Sequence, residues 1–253
     1  MNQVMRTIGI WILIMVISSA PLFAQQLEGE ITYERVYYWT KINSRLSFLS
    51  NEEKDRMKQT WGKNDEYKQK MTLYFNEKQS FYGYPKVIEN EHGWSWSEAD
   101  YKIYRNFEKE TRTDIIGMLG KTYVIDDSLK APSWKVMNKI KEVAGRMCMM
   151  AVTQDTIKDQ KITAWFANDL PVSGGPEMYT GLPGMILELD INDGDIVISA
   201  IDIKMKPVAA EDINLPKKVK GRKINNKQYE EMVTVHIRDS IKARRNPFWS
   251  MPY

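Results

Sequence analysis

Three stretches of this 253-residue chain carry side chains that could react or ligate. The first, Met147-Cys148-Met149-Met150, offers one thiol and three thioethers, donors that suit Cu(I). In an extended strand successive side chains alternate, so Met147 and Met149 point one way and Cys148 and Met150 the other. At most two of the four then share a site. The plainer expectation is a strand buried on both faces and filled by pliable side chains. Burial among methionines raises a thiol's pKa and makes it inert. A Cys148–His236 nucleophile and base pair would need the two to meet in space. His236, however, lies on the apolar stripe of a helix, and the other histidine, His92, sits in a loop rich in Gly and Asn. No G-x-S-x-G elbow, H-E-x-x-H run, zinc spacing or phosphate loop occurs.

The stretch from Asp190 to Asp195 superficially resembles a calcium loop, but Gly194 falls one place early and Ile201 stands where the closing Glu belongs. Asp193-Gly194 reads instead as a hairpin turn. The third stretch is basic: Lys217, Lys218, Lys220, Arg222 and Lys223. It is either a solvated loop or a surface for peripheral contact with anionic lipid. Scattered carboxylates permit a glycosidase-like pair, and no spacing singles one out. Accordingly no catalytic residue, metal ligand or cofactor is assigned. An envelope enzyme using carboxylates or Cys148, or a copper-binding protein, is the alternative to a non-enzymatic binding protein.

The elements that must position these groups start behind an export signal. Arg6, a ten-residue apolar run from Ile8 to Ile17 and small Ala24 predict a signal peptide over residues 1–24, cleaved near Ala24, and hence a periplasmic or secreted protein. The formal net charge of +3 argues against a nucleic-acid partner. The single cysteine has no disulfide partner within the chain.

Short alternating runs broken by polar turns predict a mainly β fold over residues 25–208. We expect a curved antiparallel sheet or partly open barrel. Ile31, Tyr33 and Tyr37 share one side of the first strand. Ser50 and Glu53 form a capping box that predicts an inserted helix over 51–61. Residues 209–216 read as a linker, and the stripe Tyr229, Met232, Val233, His236, Ile237 and Ile241 predicts a C-terminal helix. This region, with its basic run and the aromatic tail Phe248-Trp249-Ser250-Met251-Pro252-Tyr253, is expected to pack on the same domain. The two helices are the candidate lids of an apolar concave face.

A Gly/Pro loop over residues 167–180 leads into Gly181-Leu182-Pro183-Gly184-Met185-Ile186. Pro183 followed by Gly184 fits a type II turn with Gly184 at positive φ. This run resembles the GLPGLI motif, with Met185 in place of Leu. Ala164-Trp165-Phe166, Leu170-Pro171-Val172 and Gly175-Pro176 resemble the same family's aromatic strand and loop, with Trp134 and Cys148 where its Trp and Cys are expected. The family consists of exported proteins of Gram-negative bacteria without an established activity, so the resemblance implies export and no catalytic residue. Trp134, Trp165, Tyr179, Gly181, Leu182, Pro183, Gly184 and Met185 are expected to face a ligand or anchor the loop. The expected partner is an apolar or peptide-like ligand, or an outer-membrane receptor.

Overall fold

A computed structural model describes residues 27–63, 65–85 and 100–253. The proposed signal peptide and His92 lie outside them. Strand accounts for 44% of the fold and helix for 19%, in one open sheet of 12 strands. The fold is therefore mainly β.

The sheet consists of two meanders joined by its first strand. β1 (Gly29–Tyr38) is followed by α1 (Trp39–Ser44) and α2 (Asn51–Trp61). β2 (Glu66–Phe75), β3 (Gln79–Gly83), β4 (Tyr101–Asn106), β5 (Thr111–Met118) and β6 (Lys121–Ser128) pair in sequence order, each antiparallel to the last. β7 (Lys135–Val143), β8 (Arg146–Asp155), β9 (Gln160–Ala167), β10 (Met185–Ile191) and β11 (Ile196–Met205) do the same. β1 lies between β2 and β11 and pairs with both. After α3 (Ala210–Ile213) the three-residue β12 (Arg222–Ile224) adds to β6 as the one parallel pair among the described strands. α4 (Asn226–Lys242) and a 3-10 turn at Pro247–Trp249 close the chain.

The sheet is strongly curved. β5 and β8 are eight places apart in the strand order. A flat sheet would separate them by about 38 Å at ~4.8 Å per strand. Yet Arg112 of β5 and Thr153 of β8 line one cavity. The face turned inward carries Ile31, Tyr33, Leu73, Tyr82, Ile103, Ile116, Ile125, Ile162, Leu189 and Ile198, all buried.

α2 starts where its capping box predicts, and α4 carries a box of the same kind. Ser50 and Glu53 form the reciprocal box at α2, as do Asn225 and Gln228 at α4. Their roles differ. α2 buries none of its residues and packs against α1 at the margin of the fold. α4 buries Tyr229 and Val233 and packs toward β6, so it alone of the two serves as a lid. The segment read as a linker contains α3, and the basic run supplies β12 through Arg222 and Lys223.

Candidate functional site in the curved face

The inner face carries charge as well as hydrocarbon. Arg35 occupies the same side of β1 as Ile31 and Tyr33 and is almost wholly buried. Glu177, from the loop between β9 and β10, forms an ion pair with its guanidinium. The same carboxylate accepts hydrogen bonds from the Tyr101 hydroxyl and, at 3.1 Å, from the Tyr82 hydroxyl. Arg35 also donates to Tyr37 Oη at 3.3 Å, and its guanidinium lies 4.9 Å from the centre of the Tyr101 ring. Burial works against the Arg35 charge, but Glu177 with Tyr37, Tyr82 and Tyr84 together outweighs it, so the pKa lies above its ordinary value. Burial raises the Tyr82 pKa, which keeps that hydroxyl a donor. Glu177 sits at φ 58°, in the left-handed region that a non-glycine residue seldom occupies without external support.

That support comes from the Gly/Pro loop, which is tied down at many points. Met185 N donates to Leu170 O at 2.9 Å and Ile186 N to Gly174 O at 2.9 Å. Gly181 N donates to Ser173 Oγ at 3.0 Å, and Trp134 Nε1 donates to Thr180 O at 2.8 Å. The Trp134 ring meets Tyr179 edge-on at 6.1 Å. Gly181 is at φ 95°, and a Cβ there would collide with Ala131. Gly184 departs from the type II expectation because its φ is not positive. It is needed because a Cβ would strike the carbonyl of Ala167. Leu182 and Met185 are buried and Pro183 is exposed.

Trp134, Tyr179, Gly181, Leu182, Gly184 and Met185 thus sit in or against the loop that presents Glu177. Trp165 lies elsewhere. Its neighbours Ala164 and Phe166 are buried in the core, so Trp165 points to the other face of the sheet. There Lys141 Nζ stands 4.6 Å from its ring centre and pairs with Glu188.

The chain's own tail lies along the inner face. Leu119 N donates to Ser250 O at 2.7 Å. Lys158 Nζ donates to Pro252 O at 3.1 Å and Tyr253 O at 2.7 Å. The Tyr253 hydroxyl donates to Asp195 Oδ2 at 2.6 Å and accepts from Asn192 Nδ2 at 2.9 Å. Met251 is buried, and Phe248 packs on Tyr253 with ring centres 4.4 Å apart. Burial lowers the Lys158 pKa to about 8, against the attraction of Asp155.

Three cavities follow one another along this face. One of about 740 Å³ is walled by Tyr84, Arg35, Tyr37, Tyr101, Met251 and Pro252. A constriction of about 20 Å³ shares Arg35, Tyr37, Tyr101 and Pro252 with it. The constriction in turn shares Lys158, Met178 and Tyr179 with a third cavity of about 280 Å³. They make one groove, narrowed in the middle by Glu177 and by the tail at Pro252 and Tyr253.

The other sequence candidates stay apart from the groove. Cys148 is fully buried, with its pKa raised to about 11 chiefly by that burial. Its hydrogen bond goes to Arg146 O, whereas His236 Nε2 lies 3.0 Å from Pro247 O and 3.1 Å from Ser250 Oγ. Met147 is exposed while Cys148 is not, as strand alternation requires. Among the described residues no group of three or more His, Cys, Asp or Glu is placed to hold a metal ion. The stretch from Asp190 forms the expected hairpin, with Gly194 N donating to Asp190 Oδ1 at 2.6 Å. No described helix is long and apolar enough to cross a membrane.

Sequence reasoning did not select Arg35, Tyr82, Tyr101, Lys158 or Glu177. The one legible signal was Arg35, a cation in line with Ile31, Tyr33 and Tyr37.

Residues 133–188 match a family model described as a protein of unknown function (Porph_ging). The matched segment holds Trp134, Cys148, Trp165 and the whole Gly/Pro loop, Glu177 included. No curated protein matches the chain. Among solved structures, that of PNGF-II in space group P21 superposes with a TM-score of 0.54 at 16% identity, covering 82% of this chain and 33% of that one. PNGF-II in space group C2 gives 0.53 at 17% identity, covering 81% and 32%. At this identity the likeness concerns the fold, and the chain spans about a third of the length of those proteins.

Proposed function

We propose that this is an exported, non-enzymatic binding protein whose curved sheet holds an extended peptide-like segment. The observation that carries the reading is the tail. Ser250, Pro252 and Tyr253 are held through main-chain oxygens by Leu119 N and Lys158 Nζ, and the Tyr253 ring fills a socket ending in Asn192 and Asp195. Main-chain bonds supply affinity without sequence preference, while the socket selects an aromatic hydroxyl. The groove thus carries the chemistry of peptide recognition, with the tail as its internal occupant. The sequence of residues 1–24 supports export to the periplasm, and the motif from Gly181 to Ile186 supports kinship with the GLPGLI proteins. An outer-membrane receptor is a natural source of such a segment. The exposed Lys217, Lys218, Lys220, Arg222 and Lys223 would face anionic lipid during that encounter.

Convergence of Arg35, Lys158, Glu177 and three tyrosines favours a second reading, an envelope enzyme. Both oxygens of Glu177 are already taken, one by Arg35 and Tyr82 and the other by Tyr101. A general base needs an oxygen that reaches the substrate, so the binding reading is preferred.

The test uses the full chain carrying Met251→Gly and Tyr253→Gly, which loosens the tail. A fluorescent peptide of the sequence Phe-Trp-Ser-Met-Pro-Tyr is titrated and its anisotropy followed. The loosened variant should bind at least about tenfold tighter than the wild type, whose groove is filled. Adding Lys158→Met should abolish the gain. A folded loosened variant that ignores the peptide overturns the proposal.

A further inference from the structure

Strand β7 forms one margin of the open sheet. Among the described strands it pairs with β8 alone, so every second residue turns its N–H and C=O away from the sheet. The opposite margin, β12, is three residues long, whereas β7 has nine. Shortness protects an edge from pairing with other chains, and β7 lacks that protection.

The register of β7 fixes what it shows on each face. Val136 lies opposite Ala151, and Ala151 opposite Ala164. Ile140 lies opposite Met149, and Met149 opposite Phe166. Ala151, Ala164 and Phe166 belong to the buried core. Val136 and Ile140 therefore carry two rows of the core out to the rim, where they are 50% and 67% exposed. Met147, two places from Met149 on the same face of β8, is 58% exposed. The apolar face thus runs out before anything covers it. The other face is basic. Lys135 and Lys141 lie on it, Lys141 against Trp165, and Lys139 sits in the register shift between Met137 and Ile140. Lys135 and Lys139 are exposed, and no acid among the described residues pairs with either. Glu142 is the one acid of the strand.

A second copy of the chain fits this edge poorly. Antiparallel pairing of β7 with itself opposes two lysines in each central register: Lys139 with Lys139, Lys135 with Lys141, or Lys139 with Lys141. Like charges directly opposite one another are destabilising. A foreign strand of the opposite sign meets no such repulsion. We propose that β7 accepts an extended segment of a partner protein, in which apolar residues alternate with Asp or Glu, as a further strand of the sheet. Main-chain hydrogen bonds hold the segment, its apolar residues cover Val136, Ile140 and Met147, and its carboxylates meet Lys135 and Lys139. No residue of β7 lines the groove, so the edge does not depend on how the groove is used.

The test uses the full chain and a fluorescent peptide, Glu-Val-Glu-Ile-Glu-Val-Glu-Ile, followed by anisotropy at low ionic strength. It should bind saturably and weaken as salt is added. The same pattern with Lys for each Glu should bind at least about tenfold more weakly. Of the two versions N-methylated at alternate residues, one should fail and the other still bind, because only one set of N–H groups faces β7. Lys135→Glu combined with Lys139→Glu should weaken binding at least about tenfold, and Ile140→Asp comparably. These positions are exposed, so melting should stay close to that of the wild type. Hydrogen exchange should slow at the amides of β7 and not at Arg35 or Lys158, and the Phe-Trp-Ser-Met-Pro-Tyr peptide should not compete. The proposal is overturned by unsaturable binding, by equal binding of the lysine peptide or of both methylated peptides, by undiminished binding to either variant, or by protection at Arg35 and Lys158 in place of β7. A chain that dimerises in sedimentation and becomes monomeric with Ile140→Asp would assign the edge to a second copy and also overturn it.

Discussion

Replacing Glu177 with Leu tests whether the Gly/Pro loop is held to the sheet by the buried ion pair. The Arg35 and Glu177 side chains are 5% and 12% exposed, so neither charge is well hydrated. Removing the acid leaves a guanidinium in a low-dielectric setting, a loss of about 3–5 kcal/mol. Tyr82 and Tyr101 lose their acceptor at the same time, which pushes the figure to the upper end. For a domain of this size each kcal/mol moves the midpoint by roughly 2–4 °C, so the variant should melt about 6–20 °C below the wild type. Arg35→Met should cost a similar amount, because it strands the carboxylate. The double variant Arg35→Met with Glu177→Leu removes both charges and should be more stable than either single one. Urea unfolding followed by tryptophan fluorescence gives all four corners of the cycle. Two additive penalties, or single losses below about 1 kcal/mol, would refute the claim that this pair is buried and mutually dependent.

Gly184→Ala should destabilise by about 2 kcal/mol or more, because its Cβ meets the Ala167 carbonyl, and Gly184→Asn, which tolerates positive φ, should be no better in the same urea assay. At Gly181 both the positive φ and Ala131 intervene, so Gly181→Ala combined with Ala131→Gly should recover only part of the loss. The Lys158 pKa is about 8 when folded and near 10.4 when unfolded, so the unfolded chain holds more protons between those values. This group therefore adds stability as pH rises through that window, and the wild-type minus Lys158→Met difference should climb from pH 8 to 10. Cys148, buried with a pKa of about 11, should resist iodoacetamide at pH 8 in folded protein and react once urea unfolds it.

Local chemistry made most of the architecture readable. Ser50 with Glu53 marked the start of α2, and Asp193-Gly194 the turn between β10 and β11, because caps and turns act over a few residues. Alternation marked the strands and even carried the trace of the site. Arg35 follows Ile31 and Tyr33 in β1, and Arg105 follows Tyr101 and Ile103 in β4, each a cation on an apolar face. Their partners were invisible for a physical reason. Glu177 reaches Arg35 across 142 positions of chain, and Asn226 reaches Arg112 across 114. No periodicity encodes such a meeting. Trp165 shares its motif with the loop residues, yet its place one residue from Ala164 and Phe166 sends it to the opposite face. The Pro183-Gly184 pair cannot reveal that a second backbone segment, at Ala167, passes against Gly184.

The central place of β1 bears on how the molecule assembles. Each meander can zip up by short-range hairpins, yet each ends in a raw margin, at β2 or at β11. Only the first strand seals both, with Thr32 opposite Thr72 on one side and Asp202 on the other. The second seam waits for nearly the whole chain, which predicts slow, late closure. Until then two sticky borders stand open, so aggregation during synthesis is the hazard a chaperone would have to manage.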